Sequence, residues 1–361
     1  MNPVIPGPVP VPLPAPPGLL EFLLVFTFIL HLLAMDFLLG GVIIATVSGY
    51  LGRRDPRHHE LTRRISRALP PVTAFTITLG VGPLLFLQLV YGQLFYTSSI
   101  LMAWYWLAIV FLVLCGYYGV YWHQLQYDAL GPKAAWVMLA AAVLFLLVAF
   151  IFTQNVTAML HPQDFYTRFL NGQVGKLFGP VSLQDLARLA HFVVAAVALA
   201  GLGIALLSNR WRNDSPEFAA WARRYGVTWF MGGTLVQLLV GLWFLFSLPM
   251  EIRQALVGDK FAVGLLVLGV LLALRALLIA PKNMGVAGVA ILGTVCSMAV
   301  LRHLVRLAYL GPYFDPHSQP VQGQWVVFSI FAALLLAGLG TVGWMLYVFY
   351  RPAANSRQVS V

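Results

Sequence analysis

FILHLLAMDFLLGG, residues 28–41, sets a histidine and an aspartate inside an otherwise apolar run. That run extends from about residue 19 to 51. It is long enough to cross a bilayer, whose hydrocarbon core takes about 20 helical residues. A histidine costs free energy in hydrocarbon and a carboxylate costs more, so His31 and Asp36 need internal partners or a use. Eight further apolar runs follow, at roughly 70–92, 98–123, 134–156, 186–208, 225–249, 260–280, 284–308 and 325–350. With 60% hydrophobic and 9% charged residues in 361, the chain is an all-α polytopic membrane protein and not a soluble domain.

The net charge of +10 does not point to nucleic acid, because the basic residues sit in short loops between spans. Fifteen of the 22 fall on one side: Arg53, Arg54, Arg57, Arg63, Arg64, Arg67, Lys133, Arg210, Arg212, Arg223, Arg224, Arg275, Lys282, Arg351 and Arg357. The other side holds Arg168, Lys176, Arg188, Arg253, Lys260, Arg302 and Arg306. The positive-inside rule makes the first side cytoplasmic, with the N-terminus outside a bacterial-type inner membrane and the C-terminus inside. Residues 1–18 are proline-rich and uncharged and read as an extended arm, either packed on a partner or trailing. They lack the basic region and apolar run of a cleavable signal. The expected organisation is this arm, a nine-helix membrane domain over 19–350 and a cytoplasmic tail over 351–361. Cys115 and Cys296 lie in apolar spans and no CxxCH occurs, so any haem would be held by side chains alone.

Eight histidines sort by depth. His58 and His59 fall in the basic inner stretch and read as solvated, and His123 as interfacial. His161 follows the fourth span on the outer side, and His317 lies in an outer loop. His31 lies near mid-membrane, His191 just below the outer surface, and His303 near the outer end of span eight between Arg302 and Arg306. Neutral imidazole is a common axial ligand of haem iron, and a histidine at membrane depth is a functional candidate by default. The small residues Ala195, Ala196, Ala198, Ala200, Gly201 and Gly203 beside His191 suit the approach of a flat macrocycle, and equally suit close helix packing. Arg302 and Arg306 suit haem propionates. Asp36 and Gln88 are candidates for a proton or polar path, with hydrogen bonding between helices as the other reading.

The order of these features resembles subunit I of cytochrome bd quinol oxidase. The resemblance rests on HLLAMDFLLGG in span one, FTITLGVGPLLFLQLVYGQ in span two, FTQNVTAMLHP at the exit of span four and ARLAHFVVAAVALAGLGIALL in span five. It implies a nine-span fold with the N-terminus outside, b-type haem, His31 as a haem ligand and His191 as ligand of the low-spin haem. Gln88 lies near where the family carries glutamate. The chain also departs from the pattern. LMAWYWLAIVFLVLCGYYGVYW in span three has no carboxylate, Leu266 stands near the family's methionine ligand, and Tyr309 stands about where a haem-ligating glutamate would be. The long quinol-binding loop after span six is reduced to PMEIRQALVGDK. Met250, at the outer end of span six, is then a candidate sixth ligand.

These features together lead us to expect an electron-transfer subunit carrying one or more haems b, in a membrane redox complex with other subunits and a c-type cytochrome at the outer face. A quinol-oxidising terminal oxidase subunit, with bound quinone, and a haem-free anchor are the competing expectations. The charge imbalance predicts that reporter fusions after Arg67 and after Arg351 both read inside; an outside signal at either point breaks the nine-span topology.

Overall fold

The computed structural model describes residues 5–7, 11–176 and 181–350, and the tail 351–361 lies outside the described residues. Nine helices among these residues are long and apolar enough to cross a membrane. They are α1 Pro17–Leu51, α2 Pro56–Met102, α3 Trp104–Leu125, α4 Ala134–Met159, α5 Leu183–Leu207, α6 Pro216–Ser247, α7 Lys260–Ile279, α8 Met284–Leu310 and α9 Trp325–Tyr350. In hydrocarbon every backbone polar group must be satisfied within the segment, and continuous helices achieve this. The face at which α1 begins is called the N-terminal face below.

α1 is the centre of the bundle and packs along α2, α4 and α5, while α6 packs on α5 and α8 on α7. The close approaches use small residues. A Cβ at Gly40 of α1 would stand 2.0 Å from the Ala196 carbonyl oxygen of α5. A Cβ at Gly201 of α5 would stand 2.6 Å from the Phe230 nitrogen of α6, and one at Gly233 would stand 2.9 Å from Ala198 Cβ. Gly203 takes the Phe37 ring of α1. Ala196, Ala198, Ala200, Gly201 and Gly203 after His191 are thus met by neighbouring helices.

Two boundaries differ from those read in the sequence. Residues 56–69 are helical and continue into the second span through Pro70 and Pro71, so the loop after α1 is only residues 52–55. Asp55 caps α2, and its hydrogen bonds with Arg57 hold its carboxyl down to about 2, so the cap is in place above that pH and is lost as pH falls through it. At the other end, α2 breaks at Tyr91 (φ −123°, ψ 31°) but resumes to Met102. Thr97, Ser98 and Ser99 return their hydroxyls to Gln93 and Phe95 carbonyls, so these polar residues stay helical. The chain then reverses at Ala103 alone, in a left-handed conformation (φ 42°).

Leu13–Ala15 of the N-terminal arm pack on the chain itself. Leu13 N–H donates to the Pro320 carbonyl at 2.8 Å, and the Gln322 and Gln324 N–H groups donate to the Leu13 and Pro14 carbonyls. Leu13 and Ala15 are buried there. α9 stands off the bundle, with Phe328 and Phe331 packing inward near Phe86 and most of its length exposed.

The Gly40 contact gives a direct test. Gly40→Ala forces α1 from α5 and should cost about 1–3 kcal/mol, as overpacking does. It is read as a lower unfolding midpoint in detergent. Gly338→Ala in α9, where nothing lies within 4 Å of the added Cβ, should leave the midpoint at or slightly above the parent value.

Candidate functional site

His31 and His191 lie on the two parallel helices that cross at Gly40 and Ala196, but they face different neighbours. His31 turns to α2. Its Nδ1 lies 3.0 Å from the Thr76 carbonyl oxygen. A carbonyl only accepts, so Nδ1 carries the proton and Nε2 is left as the bare nitrogen. Gly80, one turn along α2, makes room: a Cβ there would stand 2.9 Å from His31 Cε1. The ring is therefore seated in a notch cut by the Thr76 carbonyl and the missing side chain of Gly80.

His191 turns to α6. Its Nδ1 lies 2.9 Å from Gln237 Nε2, and the Phe244 ring lies 5.8 Å away at 33°. A Cβ on Gly241 would touch the ring at 3.5 Å. Gln237, Gly241 and Phe244 recur at helical spacing and present one face of α6 to the imidazole. Gln237 Oε1 is buried without a hydrogen-bond partner. From the start of α5, His191 lies ~12 Å along the helix at 1.5 Å per residue.

Arg188, one turn toward the N-terminal face, lies over the same Phe244 ring at 5.7 Å. Its Nη1 donates to Thr157 Oγ1 at 2.6 Å, and Thr157 donates in turn to the Asp185 carboxylate at 2.6 Å. Arg302 lies over Phe28 at 4.4 Å, within electrostatic reach of Arg306 and Arg188. Arg306 lies over the Tyr91 ring at 5.5 Å. Among the described residues, none of these three arginines has a carboxylate within 4 Å. Arg302, His303 and Arg306 line a cavity of about 10 Å³ with Leu24, Val25, Phe28 and Ala299, room for about one water.

His303 faces Arg306 at one nitrogen and Glu21, beyond hydrogen-bond range, at the other. Nδ1 lies 3.4 Å from Arg306 Nη1, and Nε2 lies 3.8 Å from Glu21 Oε1. Glu21 also accepts from Tyr91 Oη at 3.2 Å and lies 3.3 Å from His317 Nε2. His303 thus belongs to a polar cluster joining α1, α2, α8 and the loop after α8. Glu21 was missed in the sequence because it sits in the first turns of an apolar run, where an acid reads as an interface residue.

The remaining candidates are scattered. Asp36 is buried in mid-span with Oδ1 unpartnered. Gln88 Oε1 accepts from Tyr96 Oη at 3.4 Å, and no hydrogen bond joins it to Asp36 among the described residues. Met250 opens the short helix Met250–Gly258 and is exposed. Tyr309 is buried, with its hydroxyl accepting from Gln184 at 2.7 Å and its ring against His161. His58, read as solvated, is half-buried edge-on to Trp221 and Tyr225, and His123, read as interfacial, is fully buried 2.6 Å from Ser66 Oγ.

No family model matches the chain, and no curated protein sequence does. In three dimensions the chain is similar to bd oxidase from Geobacillus thermodenitrificans, with a TM-score of 0.70 at 12% identity. The match covers 94% of this chain and 100% of that one. The fold is that of a bd-oxidase subunit. At this identity the likeness extends to the bd-oxidase fold and carries no site residue with it. Within that bd-oxidase scaffold, the notch at His31, the α6 face at His191 and the arginine cluster are properties of this chain's own side chains.

The Glu21 cluster ties the loop after α8 to the bundle. Glu21→Ala removes the acceptor of Tyr91 and the partner of His317. It should raise hydrogen–deuterium exchange across residues 311–319, with His317→Ala acting in the same direction. Parent-like exchange in both variants would show that the arm's backbone bonds alone hold the loop.

Proposed function

We propose that this chain is an integral membrane electron-transfer subunit carrying haem b within a bd-oxidase-like redox complex. The observation that carries the reading is that two histidines at membrane depth are each held at Nδ1 by a neighbouring helix. At His31 this already leaves Nε2 bare for a metal. His31 and His191 are the residues that would hold iron through Nε2. Haem b, when bound, supplies a one-electron ferric–ferrous couple.

The chain's own groups do the rest. The Thr76 carbonyl fixes the His31 tautomer, and Gly80 keeps the ring's place clear. Arg188, Arg302 and Arg306 gather positive charge with no carboxylate within 4 Å among the described residues, Asp185 and Glu21 lying farther off, which suits the carboxylates of a porphyrin. All three lie toward the N-terminal face. That supports electron exchange there with an extrinsic protein, for which a c-type cytochrome is the proposed partner. The N-terminal face is then the outer one, a reading the charge imbalance of the loops supports.

The purified chain should show a b-type visible spectrum. His191→Ala should lose one haem, and His191→Met should keep bulk while shifting the spectrum. Haem content and spectra equal to the parent in both variants would make His191 a structural histidine. A quinol-oxidising oxidase subunit is the second reading, favoured by the fold likeness. Against it, α3 has no carboxylate and the Tyr309 hydroxyl is held by Gln184. Quinol-driven oxygen uptake by the chain alone should therefore be near background, and robust cyanide-tolerant uptake would favour the second reading.

A further inference from the structure

The two histidines differ in what holds them. His31 faces a main-chain carbonyl, which dictates the tautomer. His191 faces a side-chain amide, which can present either a donor or an acceptor. We infer that Gln237 is the positioning residue that holds the iron-binding tautomer of His191, its amide oxygen accepting from Nδ1–H when Nε2 binds iron. The inference rests on the haem reading above and goes beyond it in assigning the switch to one side chain on another helix.

A neutral imidazole has one protonated nitrogen and one bare one. With Gln237 Nε2 donating to His191 Nδ1 at 2.9 Å, the proton sits on Nε2, and Nε2 has no lone pair for a metal. Rotating the amide by half a turn puts Oε1 opposite Nδ1. Oε1 then accepts from Nδ1–H, and Nε2 becomes the bare nitrogen. Oxygen and nitrogen of the amide have nearly the same shape, so both orientations fit the same space. The amide's own bonding does not choose between them. In the first orientation Oε1 is buried without a partner, and in the second the NH₂ group takes that place. The choice therefore falls to whatever binds at the other side of the imidazole. Iron demands the second orientation.

The rest of the α6 face borders the ring while the amide turns to match the proton. A Cβ at Gly241 would meet Cε1 in ordinary van der Waals contact at 3.5 Å, and the Phe244 ring lies beside the imidazole with Arg188 over that phenyl ring. The imidazole is thus bounded on the α6 side by residues one and two turns beyond Gln237, so a tautomer change need not move the ring.

The test uses the full chain purified in detergent, with three readouts: haem affinity, midpoint potential and the electron paramagnetic resonance signal of the oxidised haem. Gln237→Glu replaces the amide by a carboxyl of the same shape, which, ionised, accepts only. It should keep haem at the parent's stoichiometry and lower the midpoint potential, because a stronger acceptor makes the imidazole a more basic ligand. Gln237→Leu removes the partner. It should weaken haem binding by about 10–100-fold, the usual effect of losing such a partner, and broaden the low-spin signal as the ring loses its fixed orientation. If His191→Ala lacks this haem while both Gln237 variants match the parent in affinity, potential and signal, the assignment to Gln237 is wrong and the haem reading stands. If His191→Ala retains the parent's haem content and spectrum, the haem reading of His191 fails, and the role of Gln237 fails with it.

Discussion

Three backbones in this molecule come within van der Waals distance of one another: α1 and α5 meet at Gly40 and Ala196, and α5 and α6 meet at Gly201 and Gly226. Lipid tails are as apolar as leucine, so helices in a bilayer gain little by hiding apolar surface from one another. They gain by fitting, and only residues without bulk let backbones fit this closely. The depth and rotation of His31 and His191 follow from this contact, because each histidine lies a fixed number of turns from it. Moving either crossing would turn His31 away from Thr76 or His191 away from Gln237.

The N-terminal face is built on a different principle. Charged groups there are buried and must be answered locally. Glu21 is answered by Tyr91 and His317, with His303 beyond hydrogen-bond range at 3.8 Å. Asp185 is answered by Ser182 and Thr157. The arginines are answered in part by ring faces: Phe28 for Arg302, Tyr91 for Arg306 and Phe244 for Arg188. The proline-rich arm closes the same face by bonding the loop after α8. Its lack of amide hydrogens at the prolines leaves Leu13 as the donor that matters.

The number of helices was legible because each apolar run is long enough to be a span whatever its neighbours do. The ends were less so. Residues 56–69 are polar and read as a loop, yet they continue a helix whose later turns are anchored in the bundle. The Ala103 reversal left no sign, since no glycine or proline marks it. His31 and His191 were legible as candidates because a histidine at membrane depth is costly. Their partners were not: Thr76 is 45 residues from His31 and Gln237 is 46 from His191, and a lone sequence does not carry such pairings. The run of small residues after His191 was equally compatible with a macrocycle and with helix packing. The helix packing there depends on glycines at 40, 226 and 233 that stand on other helices.

The Thr76–His31 contact has a consequence for how the two histidines respond to mutation. A main-chain oxygen is present whatever residue occupies position 76, so no single codon there can delete it. Only a change in the course of α2 can, such as a bulky residue at 80 or a shift of the proline-containing turns around it. The bond at His191 belongs to a side chain and is open to replacement by one substitution. Mutational drift therefore reaches one histidine through its partner's codon and the other only by re-routing a helix, so the two can diverge at different rates within the same bundle.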